Sequence, residues 1–334
     1  MQFSILSHES NYTMSNKYKI LFCSPHSSAF TKPVHKALIR LGYTTKVFDY
    51  QKGSVLSRSM GLVINQFPLA NKTVNKIVPL YINKQLIKAV RSWKPDIVFV
   101  IKGAEINTET LLHIHKSRIR LINWYPDAMD FWEWIKSYSS YYDYFFNMVY
   151  DVEQRLKKIH NHTAFIPPAS DPDLKRNLER NFPITFVGQY SKRRERYFSE
   201  ISDLGLKIWG YEKWQMSSLR SISSPNVSNE RCLNIIRRSK IVVNVLSGDH
   251  DYEPDVINIR TFETLGRGTF LLVQNHWLLD KYFTPGKDFI TFTSPADLRA
   301  KAVYYLQHEK ERDAIARRGW ETVKSHHTFE IRLK

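Results

Sequence analysis

The sequence has 334 residues, which is enough for two domains of about 150 residues each. Apolar residues make up 43% and charged residues 24% of the chain, so it can bury a core, and the disordered and fibrous classes are excluded. The formal net charge of +17 is a large excess that predicts a negatively charged partner: nucleic acid, an anionic membrane face or an acidic polymer.

Residues 1–16 are predicted to form a polar extension, which is too polar for a secretory signal peptide. No apolar run approaches the roughly 20 residues that span a bilayer, so no transmembrane segment is expected. The two cysteines, Cys23 and Cys232, lie far apart in the sequence and are expected to be buried reduced thiols. These features favour a cytoplasmic protein and leave peripheral attachment to a membrane open.

Strand and helix signals alternate from residue 17 to residue 168, which is typical of a parallel α/β domain. Gly42 follows the first helix, where a left-handed backbone commonly ends helices. A basic stretch between the second and third strands is expected to be partly helical. The expected strands are 18–23, 45–48, 96–101, 121–124, 144–148 and 164–166, and the expected helices are 30–41, one near 111–114, and 153–159.

The polar segment 169–183 carries prolines and is interpreted as a linker between two domains. The alternation restarts after it and fills a second domain, 184–334, in which only 211–227 is expected to be irregular. The expected strands are 184–187, 206–209, 241–246 and 270–273, and the expected helices are 193–204, 230–238, 260–265 and those from 295 to the end. We therefore predict two Rossmann-like, doubly wound parallel-sheet domains, with the cleft between them as the ligand site.

The segment 258–268 directly precedes a predicted strand and carries the clearest chemistry. Asn258 suits the N-cap of a helix, whose free N–H groups and positive dipole end favour a diphosphate. Arg260 adds a cation beside Thr261, and Glu263, one turn further on, is placed to accept hydrogen bonds from sugar hydroxyls. A solvated or ion-paired carboxylate is the alternative for Glu263.

A second segment, 186–194, has a strand, a glycine and then cations at the start of a helix. Gly188 would let the backbone approach a phosphate that cations following Tyr190 neutralise. Aromatic residues around Gly210 offer flat surfaces for a nucleobase, or else belong to the core. The predicted donor-site cations are Lys192, Arg193 and Arg194, and the aromatic residues are Trp209, Tyr211 and Trp214.

Asp127 ends the segment 123–127 at the carboxyl edge of a predicted strand, where ligands of open α/β sheets bind. It is a candidate general base, and His26, in the loop after the first strand, is the competing one. Either residue could instead cap a loop. No acidic residue occurs from Tyr50 to Pro95, so this stretch is either a solvated face or a docking surface for an anion. The candidate docking cations are Lys76, Lys84, Lys88, Arg91 and Lys102.

The C-terminal half resembles the spore-maturation CgeB-like glycosyltransferases. That resemblance implies the GT-B fold and a nucleotide-sugar donor, and it assigns Glu263 to the donor ribose. The wider class often has a second glutamate eight positions earlier, where this chain has Asp255. The resemblance covers the first half more loosely, through 102–103, 124–127 and 142–143. The matching C-terminal segments are 260–272, Phe283, 285–289, 298–305, 312–319, 326–328 and Arg332.

No cofactor other than the donor is expected, and no metal site. The triplet Asp249–Asp251 resembles the metal motif of another glycosyltransferase fold, but the chain pattern is not that fold. The histidine pairs lack partners at ligand spacing. The sequence therefore predicts a metal-independent hexosyl- or pentosyltransferase that acts on an acceptor hydroxyl of an anionic or lipid-linked glycan. The alternatives are a transferase acting on modified bases of viral DNA, and a non-catalytic nucleotide- or nucleic-acid-binding protein.

Overall fold

The computed structural model describes residues 18–51, 68–126, 131–174, 179–246 and 255–334, and for 68–78 the backbone alone. The described chain forms two compact units. Unit 1 runs to Ile166 and includes Leu333–Lys334, and unit 2 is Pro167–Arg332. The segment interpreted as a linker contacts unit 2: Ser170 N donates to His327 O (3.0 Å) and Asp173 N to Gly266 O (2.8 Å).

Unit 1 is a parallel sheet flanked by helices, with the strand order β2-β1-β3-β4-β5-β6. All five residues of β3 are buried, as expected for a central strand covered on both faces. Gly42 has φ 81° directly after the first helix, which confirms its role as a helix terminator. The strands are β1 (Lys19–Cys23), β2 (Thr44–Phe48), β3 (Ile97–Ile101), β4 (Arg120–Tyr125), β5 (Tyr144–Asn147) and β6 (Thr163–Phe165), and the helices are α1 (Thr31–Arg40), α2 (Pro68–Trp93), α3 (Thr108–Lys116), α4 (Trp132–Ser139) and α5 (Tyr150–Leu156).

Unit 2 is a second parallel sheet of the same kind, with the strand order β12-β11-β10-β7-β8-β9. Both sheets confirm the predicted class of two Rossmann-like, doubly wound domains. The strands are β7 (Phe182–Val187), β8 (Leu206–Gly210), β9 (Ser223–Pro225), β10 (Ser239–Asn244), β11 (Phe270–Gln274) and β12 (Ile290–Phe292), and the helices are α6 (Lys192–Ser199), α7 (Asn229–Arg237), α8 (Ile259–Gly266), α9 (Pro295–Gln307), α10 (Glu309–His326) and α11 (Phe329–Leu333).

The order of the strands reverses direction once in each sheet. In unit 1 the chain moves from β1 outward to β2 and then back to β3, so the switch point lies between β1 and β3. In unit 2 it lies between β7 and β10. Loops that leave the carboxyl ends of these neighbouring strands diverge and leave a crevice, which is where ligands of open α/β sheets bind.

Three elements were not predicted. Strand β9 lies in the region 211–227 expected to be irregular, and its short polar sequence Ser-Ser-Pro carries no strand signal. Strand β12 has three residues, too few to show a period. Helix α4 begins at Trp132, and its aromatic residues obscure the helical period.

Several residues of the family-like C-terminal pattern support α10 against the rest of unit 2. Arg312 is buried and donates from Nη1 to Tyr305 O (2.9 Å). A Cβ on Gly319 would lie 2.3 Å from Asp288 O, so only glycine fits there. His327 donates from Nε2 to Tyr282 O (2.8 Å) and accepts from Arg332 Nη2 (2.8 Å). Burial, with Arg332 beside the ring, lowers the pKa of His327 to about 4.

Candidate functional site

The two predicted donor-binding segments meet at the switch point of unit 2. The loop after β7 leads into α6, and Arg194 in the first turn of that helix is buried. Its Nε donates to Val245 O (2.9 Å), just beyond β10, and its Nη1 donates to Gln189 O (2.8 Å). Arg194 therefore holds the β7 loop against the end of β10 and is a structural brace in this arrangement.

Helix α8 begins at the same edge of the sheet. Asn258 is its N-cap, since Asn258 Oδ1 accepts from Thr261 N (3.3 Å). Asn258 also exchanges two side-chain hydrogen bonds of 3.0 Å each with Asn244, the last residue of β10. Asn244 donates to Thr261 Oγ1 (3.1 Å) as well. This amide pair fixes the start of α8 to the carboxyl end of β10, a contact that the sequence analysis missed.

Helix α6 gives a second N-terminus at the switch point. Ser191 caps it by accepting from Arg194 N (3.2 Å). Lys192 is exposed and Arg193 is half-buried, so two cations occupy its first turn. The free N–H groups and the positive dipole ends of α6 and α8 thus border one crevice.

Glu263 is buried on α8 and forms an ion pair with Arg260, which also donates to Cys232 Sγ (2.8 Å). Burial raises the pKa of the Glu263 carboxyl, against the lowering effect of Arg260 and Arg267. Burial also raises the pKa of the Cys232 thiol to about 12. The alternative left open for Glu263, an ion-paired carboxylate, describes its present contacts; its role toward a ribose stays a prediction.

Gly188 and Gly210 pack against each other at the ends of β7 and β8. Gly188 N donates to Trp209 O (3.0 Å), and Trp214 Nε1 donates to Gly188 O (3.0 Å). A Cβ on Gly210 would lie 2.3 Å from Gly188 O, and a Cβ on Gly188 would lie 2.7 Å from the Phe186 ring, so close packing explains both glycines. Trp214 is fully buried and Trp209 almost so, which places both in the core, one of the two alternatives that the sequence left open.

Two tyrosines remain near this edge as candidate donor contacts. Tyr211 is exposed directly after Gly210. Tyr190 donates its hydroxyl to Glu195 Oε2 (2.6 Å) and packs edge-on against the Trp214 ring at 5.1 Å between centroids. Of the predicted aromatic surfaces, Tyr211 is therefore the one open to a base.

Asp255 is fixed by two donors that the sequence did not suggest. Its Oδ1 accepts from Trp277 Nε1 (2.7 Å) and lies 3.3 Å from His276 Nε2. His276 Nδ1 accepts from Leu278 N (3.3 Å), which places the ring proton on Nε2. Burial lowers the pKa of His276, against the raising effect of Asp255. His276 and Trp277 follow the carboxyl end of β11, so Asp255 belongs to the same edge as α8.

In unit 1 the structure pairs His26 with Asp49. His26 lies after β1 and Asp49 directly after β2, and Nδ1 of the histidine is 3.0 Å from Oδ2 of the aspartate. Asp49 Oδ1 accepts from the backbone N–H groups of Gln51 (2.9 Å) and His26 (3.3 Å). A carboxylate can only accept, so Nδ1 carries the proton and Nε2 of this exposed ring is left as an acceptor. The same rule that selected His26, position after a strand, would have found Asp49.

The remaining acceptor-side candidates lie in different parts of unit 1. Asp127 lies outside the described residues, as does the side chain of Lys76. Lys102 follows β3 at the carboxyl edge with φ 66°, a left-handed conformation that is uncommon outside glycine. Lys84, Lys88 and Arg91 lie on α2, which ends at the amino end of β3. Beside Lys84, Asn83 Nδ2 donates to Glu105 O (2.9 Å) in the loop that follows Lys102, so the helix cations extend from this loop toward the opposite edge of the sheet. A shared docking role for Lys102 and the helix cations stays a prediction.

Two further observations concern metal binding and membrane insertion. In the described part of the chain no three metal-ligating side chains cluster, and Asp249 and Asp251 lie outside that part. None of the described helices has both the length and the apolar character that crossing a bilayer requires.

Comparisons with known proteins agree with this architecture. Residues 193–334 match the family model "Glycosyl transferase-like", which covers most of unit 2. A search of curated proteins finds no significant match.

Solved structures share the fold of the whole chain. A glycosyltransferase from Rickettsia africae is 15% identical, with a TM-score of 0.60 and 96% of each chain covered. Sucrose-phosphate synthase from Thermosynechococcus elongatus is 10% identical, with a TM-score of 0.63 and coverage of 95% and 97%. Anabaena HepE in complex with UDP and glucose is 9% identical, with a TM-score of 0.57 and the same coverage. The fold is that of the GT-B glycosyltransferases, and the family match in residues 193–334 is to a glycosyl transferase-like model.

Proposed function

We propose that the protein is a metal-independent glycosyltransferase of the CgeB-like kind, which transfers a hexose or pentose from a nucleotide-sugar donor. One observation carries the proposal: two capped helix N-termini, those of α6 and α8, border the switch point of unit 2. This arrangement suits a diphosphate, because free N–H groups and helix dipoles both favour negative charge.

The donor is expected to bind with its diphosphate between these two helix starts. Lys192 and Arg193 add charge to the N–H groups of α6, and Asn258 holds the first turn of α8 in place. Glu263 lies on α8 and Asp255 lies three residues before its N-cap, and they would accept hydrogen bonds from ribose and sugar hydroxyls. Because HepE binds UDP and glucose in its solved structure, UDP-sugars are the first donors to test.

Sugar transfer breaks the bond between the anomeric carbon and the diphosphate oxygen and forms a bond to the acceptor oxygen. The helix N-termini stabilise the charge that develops on the departing nucleoside diphosphate, so the step needs no metal ion. A base must take the proton of the acceptor hydroxyl. The His26–Asp49 pair has the required geometry: Asp49 orients the ring and stabilises the imidazolium that forms once Nε2 has accepted the proton.

The acceptor is proposed to be an anionic or lipid-linked glycan, since unit 1 carries the acid-free stretch from Tyr50 to Pro95. Lys102 follows β3 at the carboxyl edge of unit 1, beside the loop of His26, and would contribute a positive charge there. Transfer to duplex DNA in place of a glycan would support the DNA-modifying alternative.

The donor half is tested by calorimetric titration with UDP, GDP, TDP, CMP and their common sugar conjugates. We expect one nucleotide to bind, and a Lys192→Gln, Arg193→Gln double variant to bind it roughly tenfold more weakly with unchanged thermal stability. The matched control is Lys310→Gln, an exposed cation on α10. If no nucleotide binds, the non-catalytic interpretation gains support and the proposal fails.

The proposed base and metal independence are tested by measuring turnover. Once a donor is known, its transfer or hydrolysis is followed with and without EDTA, and metal independence predicts equal rates. His26→Gln should lower kcat by about 100-fold or more with an unchanged donor Kd, which is the contribution typical of a general base. Asp49→Asn should lower kcat and change its pH profile. If His26→Gln retains full activity and Asp127→Asn loses it, Asp127 is the base.

A further inference from the structure

Helix α2 carries an exposed face that takes no part in the proposed donor chemistry. Its inner side is buried through Ile82, Leu86 and Val90. On its outer side, however, Leu80 is 63% and Tyr81 56% exposed. Single exposed apolar side chains are normal, but apolar residues that adjoin one another within a polar face are typical of an interaction surface.

Cations interleave with these apolar residues. At 100° per residue, Leu80, Tyr81 and the exposed Lys84, Lys88 and Arg91 fall within an arc of about 100°. The helix contains no acidic residue. Within the described part of the chain, Lys84 and Lys88 form no ion pair. Arg91 Nη2 lies 3.1 Å from His113 Nε2 and forms no ion pair with a carboxylate there.

The positive charge continues beyond the end of α2. A cavity of about 1030 Å³ opens at the amino ends of β3 and β4, and Arg91 lines it. Its two acidic residues are already engaged, since Asp96 accepts from Lys19 N (2.7 Å) and Asp143 from Leu121 N (2.7 Å). Three cations that line it, Lys94, Arg118 and Arg120, have no ion-pair partner among the described residues.

We propose that the outer face of α2, Leu80 to Arg91, docks on an anionic lipid surface, with the adjoining cavity receiving headgroup phosphates. An amphipathic helix that presents lysine and arginine beside leucine and tyrosine is the pattern of interfacial membrane binding. A nucleic acid would use the same cations through its phosphates and could stack a base on Tyr81, but it gives no reason for the exposed Leu80. The inference concerns unit 1 and is independent of donor binding by unit 2.

The test is co-sedimentation of the full chain with vesicles of phosphatidylcholine, with and without phosphatidylglycerol. Binding is expected only with the anionic lipid, and it should weaken as salt is added. Replacing Lys84, Lys88 and Arg91 by glutamine should lower the partition coefficient roughly 100-fold, at about 1 kcal/mol per basic residue. The variant Leu80→Ser, Tyr81→Ser should lower it roughly tenfold at any salt concentration.

Helix α1 supplies matched controls on the same unit. Lys32, Lys36 and Arg40 are exposed there beside Ile39, which is 53% exposed. Their replacement by glutamine, and Ile39→Ser, should leave vesicle binding within about twofold of the parent if the α2 face is specific. Equal losses for the two helices would show that only net charge matters and would overturn the proposal.

Two other outcomes also overturn it. One is absence of binding to either vesicle by a chain that still titrates its nucleotide, which leaves the proposed function intact. The other is a salt-sensitive gel shift with duplex DNA, without vesicle binding, that Leu80→Ser, Tyr81→Ser does not change. That result would assign the α2 face to nucleic acid. Thermal unfolding of each variant verifies that a loss of binding is not a loss of fold.

Discussion

Replacing Arg194 by alanine removes a buried guanidinium that donates to the carbonyls of Gln189 and Val245. A hydrogen bond to a charged group contributes about 1.5–3 kcal/mol, and a buried carbonyl left without a partner costs about 1–3 kcal/mol. The two bonds are parts of one contact, so we expect the free energy of unfolding to fall by about 3–5 kcal/mol in total. At about 2–4 °C per kcal/mol for a unit of this size, Tm should fall by roughly 10 °C.

Scanning calorimetry measures this effect, and Lys192→Ala is the control two positions away. Lys192 is exposed in the first turn of the same helix, so its removal should change Tm by less than about 2 °C while weakening nucleotide binding. The structural role of Arg194 is refuted if Arg194→Ala keeps the parent Tm and loses nucleotide affinity. That result would make its guanidinium a ligand, as the sequence alone suggested.

Three further predictions concern unit 2. A methyl group at Gly210 would lie 2.3 Å from the Gly188 carbonyl oxygen, so Gly210→Ala should lower the free energy of unfolding in urea by about 1–3 kcal/mol, and an unshifted midpoint contradicts this. Glu263→Ala leaves Arg260 buried without its carboxylate partner and should lower the free energy of unfolding by about 3–5 kcal/mol. Glu263→Gln keeps a hydrogen bond and should lower it clearly less. Equal losses for the two variants would show that the ion pair is unimportant for folding. Because the folded-state pKa of His327 is about 4 against about 6.5 unfolded, the unfolded chain binds the extra proton, so stability present at pH 7 is lost as pH falls from 6.5 to 4. His327→Gln should reduce the stability difference between pH 7 and pH 4.5 by about 2 kcal/mol in urea titrations, and an unchanged difference would count against the buried neutral ring.

The fold was largely predictable from the sequence because central parallel strands are continuous apolar runs. Strand β3, for example, is apolar throughout and buried throughout. The two edge strands of unit 2 lack that signal. Strands β9 and β12 have three residues each, and they exist because β8 and β11 offer them unpaired backbone groups. Their formation is decided by tertiary context, which a local pattern does not contain.

The candidate site was predictable in its segments and not in its contacts. The N-cap role of Asn258 followed from residue type and position, and the structure confirms it. The partner of Arg194 lies 51 residues away at Val245, and that of His26 lies 23 residues away at Asp49. The sequence shows which residues carry a positive charge or can act as a base. The order of the strands decides which of them already form hydrogen bonds or ion pairs with other protein groups.

The contacts that the cations of unit 2 already make determine how the donor site should respond to substitution. Arg194 is engaged by two carbonyls and Arg260 by Glu263, so two of the predicted phosphate cations already neutralise or support protein groups. What remains for a diphosphate is mostly backbone: the free N–H groups of α6 and α8, with the exposed Lys192 beside them. Backbone donors are not removed by changing a side chain, so no single cation substitution should abolish binding. The affinity should instead depend on Asn244 and Asn258, which hold the start of α8 in place. Asn258→Ala should therefore weaken nucleotide binding more than Lys192→Gln does, although it removes no charge.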